Sequence, residues 1–328
     1  MTAPLKISAI NLLTTTACNA WDLPSVPGSP GVCRFCYRER EKVVTDAARL
    51  ERVIARAIEL FDVDRFTLTG GEPLMSVWTL PAAVAAKRAG REVHVHTNGL
   101  LFDDGYPALG EHVDVWVLAL DGAVAEYADW ERGVGYFARV QSNLARLVAD
   151  RRTIAINSFV SPHNRAHVGE LARMLDDLAT RVELDYWLVS QYRNINRANA
   201  TKDRLYLYPK EEFVAELRAA VAPLPRFLLF WTPAEYVAAQ SRIESMPGRV
   251  VVFGQPSREP GDPYPFRLWL SADGFVTVDA GVNQGRNAVA GNLVDDDADA
   301  LLARIRALGS EAKDIVSRSL FRRPERSR

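Results

Sequence analysis

The stretch "FTLTGGEPLM", residues 66–75, ends a short apolar run with two glycines, a glutamate and a proline. The run "FTLT" at 66–69 is rich in β-branched and aromatic residues, which is typical of a buried strand. Glycines after a strand often only turn the chain. They also allow the backbone to approach another group closely. The stretch alone therefore predicts a strand that leads into a tight turn.

All three cysteines of the chain lie upstream of this strand, within residues 14–40. Cys33 and Cys36 form a C-x-x-C pair, and 14 residues separate Cys18 from Cys33. A structural zinc site needs four Cys or His ligands, and a [4Fe–4S] cluster normally takes four thiolates. Three thiolates leave one iron open to a substrate or cofactor. The cysteines alone therefore leave an open-iron cluster, a zinc site and redox or unliganded thiols as alternatives.

Short apolar segments rich in β-branched residues alternate with helical patterns over most of the chain. The strand candidates are residues 5–13, 66–69, 92–97, 114–120, 154–160 and 182–190. This alternation predicts a parallel sheet covered by helices. We therefore expect an α/β fold, a partial (β/α)6 TIM-like barrel, with an open doubly wound sheet as the alternative. The cysteines and "GGEP" then lie in the first two strand-to-helix loops, at the mouth where barrels build active sites.

The pattern changes after about residue 225. We expect residues 1–225 to form the barrel and residues 226–328 to form a small α+β extension. In this extension the turn "SADGF" separates strand candidates at 267–270 and 276–278, which predicts a hairpin. The extension contains no cysteine, so we expect no auxiliary cluster in it.

The bulk composition argues against two classes of partner. The net charge is −1 over 328 residues, without the basic stripe of a nucleic-acid binder. The N-terminal residues lack a signal-peptide pattern, and no apolar run approaches the roughly 18 residues of a membrane span. We therefore expect a cytoplasmic protein that binds neither nucleic acid nor membrane. Clustered cysteines in such a protein indicate metal or redox chemistry rather than disulfides.

The three-cysteine loop after the first strand and the "GGEP" turn after the second resemble the radical S-adenosylmethionine (SAM) superfamily. The resemblance covers about residues 5–190 and implies a single [4Fe–4S] cluster whose fourth iron is chelated by SAM. It implies that reduction cleaves SAM to methionine and a 5′-deoxyadenosyl radical, which abstracts hydrogen from a substrate. It also implies that Cys18, Cys33 and Cys36 are the cluster ligands.

The resemblance extends to turns after later strands. "HTNGLL" is similar to the family's T-N-G turn, and "LALDG" to its S-x-D-G turn, with Ala119 where serine is common. The residues that the resemblance assigns to SAM are Phe35, Gly70, Gly71, Glu72, Pro73, Thr97, Asn98, Asp121, Asn157, Ser158 and Asn164. Among them, Glu72 and the nearby backbone are expected to meet the SAM amino group, because an ammonium group needs acceptors.

Two features depart from the family's pattern. The usual spacing is C-x3-C-x2-C, whereas this chain has C-x14-C-x2-C. The intervening residues 19–32 include three prolines and two glycines, so we expect a compact, turn-rich insert that shapes the edge of the site without altering its ligands. The 7-carboxy-7-deazaguanine synthase family has a similarly stretched motif. The second departure is that residues 226–328 resemble a SPASM/twitch-like extension that has no cysteine.

The substrate side carries weaker signals. Gln191 and Tyr192 follow the sixth strand candidate in a polar loop, so we take them as catalytic candidates beside the substrate. We expect hydrogen abstraction from a polar small molecule (a sugar, nucleoside or similar biosynthetic intermediate), giving epimerisation, dehydration, oxidation or carbon–carbon bond formation. A flavodoxin or ferredoxin would be the reductant. The alternatives are radical modification of a peptide, a 7-carboxy-7-deazaguanine synthase-like ring contraction, and a non-catalytic metal-binding protein on a decayed barrel.

Overall fold

The structure is a computed structural model of the chain. It describes residues 7, 9–36, 43–191, 208–239, 243, 245–246, 248–255, 268–278 and 288–310. No helix in these ranges is long and apolar enough to cross a membrane.

The described residues form a mixed α/β structure. Its strands are β1 (Ala9–Thr15), β2 (Arg65–Gly70), β3 (Glu92–Thr97), β4 (Val115–Ala119), β5 (Ile154–Val160), β6 (Leu184–Gln191), β7 (Phe227–Phe230), β8 (Val250–Gln255), β9 (Leu268–Ser271), β10 (Phe275–Val278) and β11 (Ala288–Asn292). Its α-helices are α1 (Ala47–Phe61), α2 (Thr79–Arg88), α3 (Phe102–Leu109), α4 (Ala125–Arg132), α5 (Tyr136–Ala149), α6 (Val168–Leu178), α7 (Lys210–Val221), α8 (Pro233–Ala238) and α9 (Ala298–Ser310). Short 3-10 helices occupy Asn19–Asp22, Pro73–Met75, Gly110–His112 and Arg165–His167.

All described strands join one sheet in the order β11-β10-β9-β1-β2-β3-β4-β5-β6-β8-β7. Strands β1 to β6 are parallel and adjacent in chain order. A doubly wound sheet reverses its strand order at a switch point, and no such reversal occurs between β1 and β6. The expected partial barrel is therefore confirmed, as an open sheet with β11 and β7 at its edges.

Most element boundaries follow from the sequence pattern. Strands β2 to β6 lie within two residues of their expected ends, whereas β1 was expected at 5–13 and is described over Ala9–Thr15. It continues to Thr15 because Thr15 still pairs with Gly70 of β2. Helix α1 begins at Ala47 because the Asp46 side chain accepts the Arg49 amide at 2.8 Å and caps the first turn.

The sheet has two differently packed faces. Trp116 and Leu118 of β4 pack in the large core that also holds the apolar sides of the flanking helices. The alternate residues Val115 and Val117 pack with Tyr186 in a second, smaller core. Successive side chains of a strand point to opposite faces, so this alternation fixes the face of every neighbouring residue. We call the face that carries the smaller core the inner face.

The elements after residue 225 join both edges of the same sheet. Strands β7 and β8 follow β6, while β9 pairs in parallel with β1. The expected hairpin is confirmed, since β9 and β10 pair antiparallel around a turn with Gly274 at φ +99°. The domain boundary at 225 remains a prediction.

Candidate active site

The turns after β1 and β2 are joined directly by their backbones. The amide of Gly71 donates to the carbonyl of Thr15 at 2.9 Å, and the amide of Glu72 donates to the carbonyl of Ala17 at 2.7 Å. A side chain at Gly70 would collide with the Thr15 carbonyl, and one at Gly71 with the Ala17 carbonyl. The two glycines are thus required where the "GGEP" turn crosses the cysteine loop.

Glu72 is a fully buried carboxylate with neutral hydrogen-bond donors around it. It accepts the amide of Leu74 at 3.0 Å, the hydroxyl of Thr97 at 2.7 Å and the amide of Asn98 at 2.6 Å. Burial raises the pKa of Glu72 to about 7, and the three hydrogen bonds oppose that rise. Within the described ranges no lysine or arginine forms an ion pair with it. A buried carboxylate of this kind favours a cationic partner.

The T-N-G turn connects Glu72 to the first cysteine. The Asn98 amide nitrogen Nδ2 lies 3.6 Å from Cys18 Sγ and donates to Asn19 Oδ1 at 3.0 Å. The other end of the side chain is also used, because Asn98 Oδ1 accepts the amide of Leu100 at 2.9 Å. Asn98 therefore has one orientation, with its donor toward the sulfur.

The C-x-x-C pair forms a tight turn against α4. The Cys33 amide donates to the carbonyl of Glu131 at 2.7 Å, and the Cys36 amide donates to the carbonyl of Cys33 at 2.9 Å. Cys33 has φ 49°, an uncommon conformation for a residue other than glycine. Burial raises the pKa of the Cys18 thiol and raises that of Cys33 to about 12. Binding of a metal requires thiolates, so it would release protons from these buried thiols.

The donor set fits a cluster better than a single ion. The three cysteines are free thiols, and the charge of each of the other two contributes to the raised pKa of Cys33. Among the described residues no three Cys, His, Asp or Glu side chains lie close enough to hold one metal ion. An iron–sulfur cluster binds each thiolate to a different iron, so its ligands stand further apart than those of one zinc ion.

The insert 19–32 is packed against the link between α4 and α5. The amide of Val134 donates to the carbonyl of Pro24 at 2.8 Å. A side-chain carbon at Gly133 would stand 2.7 Å from Leu23 Cβ and 3.1 Å from Val32 Cγ2, so a glycine is required there. The insert is therefore docked on α4 immediately before it delivers Cys33.

Asp121, expected to contact SAM, is engaged within the protein. Its carboxylate accepts Arg132 Nε at 2.5 Å and Nη2 at 3.2 Å, and it also accepts the amide of Phe159 at 2.7 Å. The ring of Phe35 stacks on Phe159 with centroids 3.9 Å apart, and the Arg132 guanidinium lies 4.8 Å from the Phe35 centroid. Neither Arg132 nor Phe159 belongs to a motif, so the sequence alone did not indicate either residue.

Asn164 and Ser158 also have internal partners. Asn164 Nδ2 donates to the carbonyls of Asp121 at 2.8 Å and Phe159 at 2.9 Å, which ties the turns after β4 and β5 together. Ser158 points away from the inner face and accepts the indole N–H of Trp187 at 2.9 Å. Its neighbour Asn157 points to the inner face and is half-buried. The assignment of these residues to SAM remains a prediction.

Neither substrate-side candidate, Gln191 or Tyr192, is placed on the inner face by the structure. Gln191 is buried on the helix-facing side, where its Nε2 donates to the carbonyl of Tyr208 at 2.7 Å. Tyr192 lies outside the described residues. On the inner face at the end of β6, the hydroxyl of Ser190 lies 3.3 Å from Gln255 Oε1. The strand period could have indicated that Ser190, not Gln191, shares a face with Asn157.

Comparison with known proteins agrees with this geometry. Residues 23–175 match the family model of the radical SAM superfamily. These residues therefore form a radical SAM domain. No curated protein sequence matches it.

Solved structures share the fold at low sequence identity. Streptococcus suis SuiB bound to S-adenosylmethionine is 17% identical with a TM-score of 0.57, over 90% of this chain and 65% of that chain. SuiB bound to its precursor peptide SuiA is 16% identical with a TM-score of 0.58, over 91% of this chain and 64% of that one. Histidine-tagged anSMEcpe with bound AdoMet is 14% identical with a TM-score of 0.57, over 94% of this chain and 81% of that one. This chain thus spans less than two thirds of the length of SuiB.

Proposed function

We propose that this enzyme cleaves SAM reductively at a single [4Fe–4S] cluster held by Cys18, Cys33 and Cys36. The observation that carries the proposal is the buried Glu72 carboxylate, which is joined through Asn98 to the neighbourhood of Cys18. A SAM amino group at Glu72 would supply the cation that this carboxylate lacks among the described residues. When bound, the cluster would supply the electron for reductive cleavage of SAM to methionine and the 5′-deoxyadenosyl radical that would abstract hydrogen from the substrate.

The chain's own residues hold the parts in place. The backbone hydrogen bonds from Gly71 and Glu72 to the cysteine loop fix the position of Glu72 relative to Cys18. Thr97 and the Asn98 amide orient the carboxylate, so little rearrangement would accompany SAM binding. The proposal does not require Ser158 or Asn164 to touch SAM.

For the substrate, we propose a polar small molecule, such as a sugar, nucleoside or similar biosynthetic intermediate, in the inner face of the barrel. Asn157, Ser190 and Gln255 support this, because they offer neutral donors and acceptors near the strand ends. The reaction would be an epimerisation, dehydration, oxidation or carbon–carbon bond formation, with a flavodoxin or ferredoxin as the cytoplasmic reductant.

A second candidate is radical modification of a peptide. It is favoured by the shared fold with SuiB, whose structure is known with its precursor peptide. Two weaker candidates are a ring contraction like that of 7-carboxy-7-deazaguanine synthase and a non-catalytic metal-binding role. The stretched cysteine spacing supports the ring contraction, whereas the retained cysteines and Glu72 weigh against the non-catalytic role.

Anaerobic reconstitution tests the central proposal. Protein treated with iron and sulfide, then reduced in the presence of SAM, should bind about one cluster and release 5′-deoxyadenosine, measured by mass spectrometry. Cys18→Ala should release none. Reconstituted wild type that binds zinc but no cluster, or that never releases 5′-deoxyadenosine, would overturn it. Deuterium transfer from labelled sugars, nucleosides or peptides into 5′-deoxyadenosine would then distinguish the substrate classes.

A further inference from the structure

Arg132 is a buried cation beside the C-x-x-C turn. Its side chain is 13% exposed, and its partner Asp121 is completely buried. Moving both charges out of water is costly, so such a pair contributes little net stability by itself. Removing only one partner is strongly destabilising, because the other charge stays buried. A buried pair in this position therefore calls for an explanation beyond stability.

Arg132 and its neighbours contact the Cys33–Cys36 turn from several sides. The backbone carbonyl of Glu131 accepts the Cys33 amide at 2.7 Å. The guanidinium lies over the ring of Phe35, which stands between the two cysteines of the pair in sequence. Phe35 stacks on Phe159, and the Phe159 amide returns to Asp121. Together these hydrogen bonds and ring contacts connect the Cys33–Cys36 turn to α4 on one side and to the end of β5 on the other.

We propose that Arg132, oriented by Asp121, is a positioning residue that fixes the Cys33–Cys36 turn and places a positive charge beside the cluster. This inference rests on the proposed function, because it takes the cysteines as cluster ligands.

The surroundings of the guanidinium support the electrostatic half of this inference. It lies 4.8 Å from the centroid of the Phe35 ring in the Cys33–Cys36 turn, and the Arg132 side chain is only 13% exposed. Water therefore screens its charge poorly, and removing that charge would leave the buried Asp121 carboxylate without its ion-pair partner. A positive field stabilises the more negative, reduced form of a cluster, and cluster potentials respond to charge in this way.

The positioning role of Arg132 can be tested without a cluster. In the metal-free protein, hydrogen–deuterium exchange over residues 23–36 reports whether the turn is fixed. Arg132→Gln, Arg132→Lys and Asp121→Asn should each increase exchange there relative to wild type. Arg139→Gln is the matched control, because Arg139 pairs with Asp103 on the surface at 3.0 Å with a side chain that is 47% exposed. It should leave the exchange unchanged.

The effect of the Arg132 charge on the reduction potential of the cluster is measured on reconstituted protein by potentiometric titration. Arg132→Gln should lower the reduced-to-oxidised ratio of the cluster at a fixed potential by about tenfold, which is a 59 mV shift for one electron. Arg132→Lys keeps the charge but loses the planar fork, so it should raise exchange with a much smaller shift in potential. This difference separates positioning from charge.

Each outcome bears on the inference. Wild-type exchange and wild-type potential in both Arg132 variants would overturn it, as would equal effects of Arg139→Gln. If Arg132→Gln does not fold, judged by its thermal melt, Arg132→Lys and Asp121→Asn decide the positioning role. If wild-type protein binds no cluster, the proposed function fails and the electrostatic half falls with it, whereas the exchange experiment still decides whether Arg132 fixes the turn.

Discussion

The hydroxyl of Thr97 donates to Glu72 Oε1 at 2.7 Å, which joins the turn after the third strand to the turn after the second. The same hydroxyl accepts the amide of Gly99 at 2.9 Å. Thr97 thus orients a buried carboxylate and its own turn together. Together with the Asn98 amide, which donates to Glu72 Oε2 at 2.6 Å, this side chain joins two motifs that are separated by 25 residues.

Glu72→Gln should weaken SAM binding by about 10-fold to 100-fold, because hydrogen bonds to charged groups contribute about 1.5–3 kcal/mol. The change keeps the shape of the side chain and removes its charge. Equilibrium dialysis of SAM against reconstituted protein measures it, and iron content should stay near the wild-type level. Glu59→Gln, which alters a surface ion pair on α1, serves as the control. Unchanged affinity in Glu72→Gln would remove Glu72 from the SAM site.

Gly71→Ala should destabilise the apo-protein by about 1–3 kcal/mol, the usual cost of forcing atoms into a packed region. The added carbon would meet the Ala17 carbonyl, so the cysteine loop and the "GGEP" turn must separate. Thermal or urea unfolding measures the loss. Gly169→Ala is the matched control, because Gly169 lies in α6 with its nearest neighbour at 3.7 Å. That variant should be neutral or slightly stabilised; similar losses in both would contradict the collision.

Gly133→Ala should reduce the iron bound after reconstitution, because its added carbon pushes Leu23 and Val32 of the insert away from α4. Gly135→Ala is a close control. Both glycines have positive φ, 102° and 82°, so both variants carry backbone strain, yet a carbon at Gly135 meets nothing within 4 Å. Iron analysis should therefore separate the two variants.

Replacing residues 19–32 by a three-residue linker should abolish cluster binding. The sequence alone suggests that the insert only shapes the edge of the site. Its docking on α4 just before Cys33 favours a supporting role instead. A shortened protein that binds iron and sulfide as the wild type does would restore the first interpretation.

His163→Phe should make the protein less sensitive to acid. The ring of His163 stacks on Trp130 of α4 at 4.1 Å, and burial lowers its pKa below the usual value. The unfolded chain therefore takes up a proton first as pH falls below about 6.5, and stability is lost through this window. Phenylalanine keeps the stacking but cannot titrate. Melting temperatures at pH 7 and pH 5 should differ less in His163→Phe than in wild type or in the distant variant His112→Phe.

The sequence pattern was sufficient for the sheet and for the loops that hold the motifs. Parallel buried strands leave near-continuous apolar runs, which is why β5 appears at its expected residues. The strand order was expected from the alternation with helices and from the family resemblance. The apolar runs and their alternation with helical patterns are local signals, and local signals can be read from one chain.

The partners inside the site could not be predicted in the same way. The pairing of Asp121 with Arg132 depends on how α4 turns back over its own strand, and no spacing rule encodes it. The orientation of Ser158 and Gln191 could have been predicted from the strand period. Both lie on the same face of the sheet as Trp187 and Val189, whose apolar side chains belong to the helix-facing core.

The pairing of β1 with β9 has a consequence for the newborn chain. Asn11 lies beside Trp269 and Leu13 beside Ser271. Strand β1, which leads into the cysteine loop, therefore lies between β2, which follows it in sequence, and β9, which is more than 250 residues further along the chain. While the ribosome is still translating the residues between them, one edge of β1 has unpaired amides and carbonyls. Assembly of this edge is therefore a late, long-range event in folding. Cluster insertion into a fully supported loop would follow release of the C-terminal strands, and ribosome-bound chains that stop before β9 should expose a strand edge prone to aggregation.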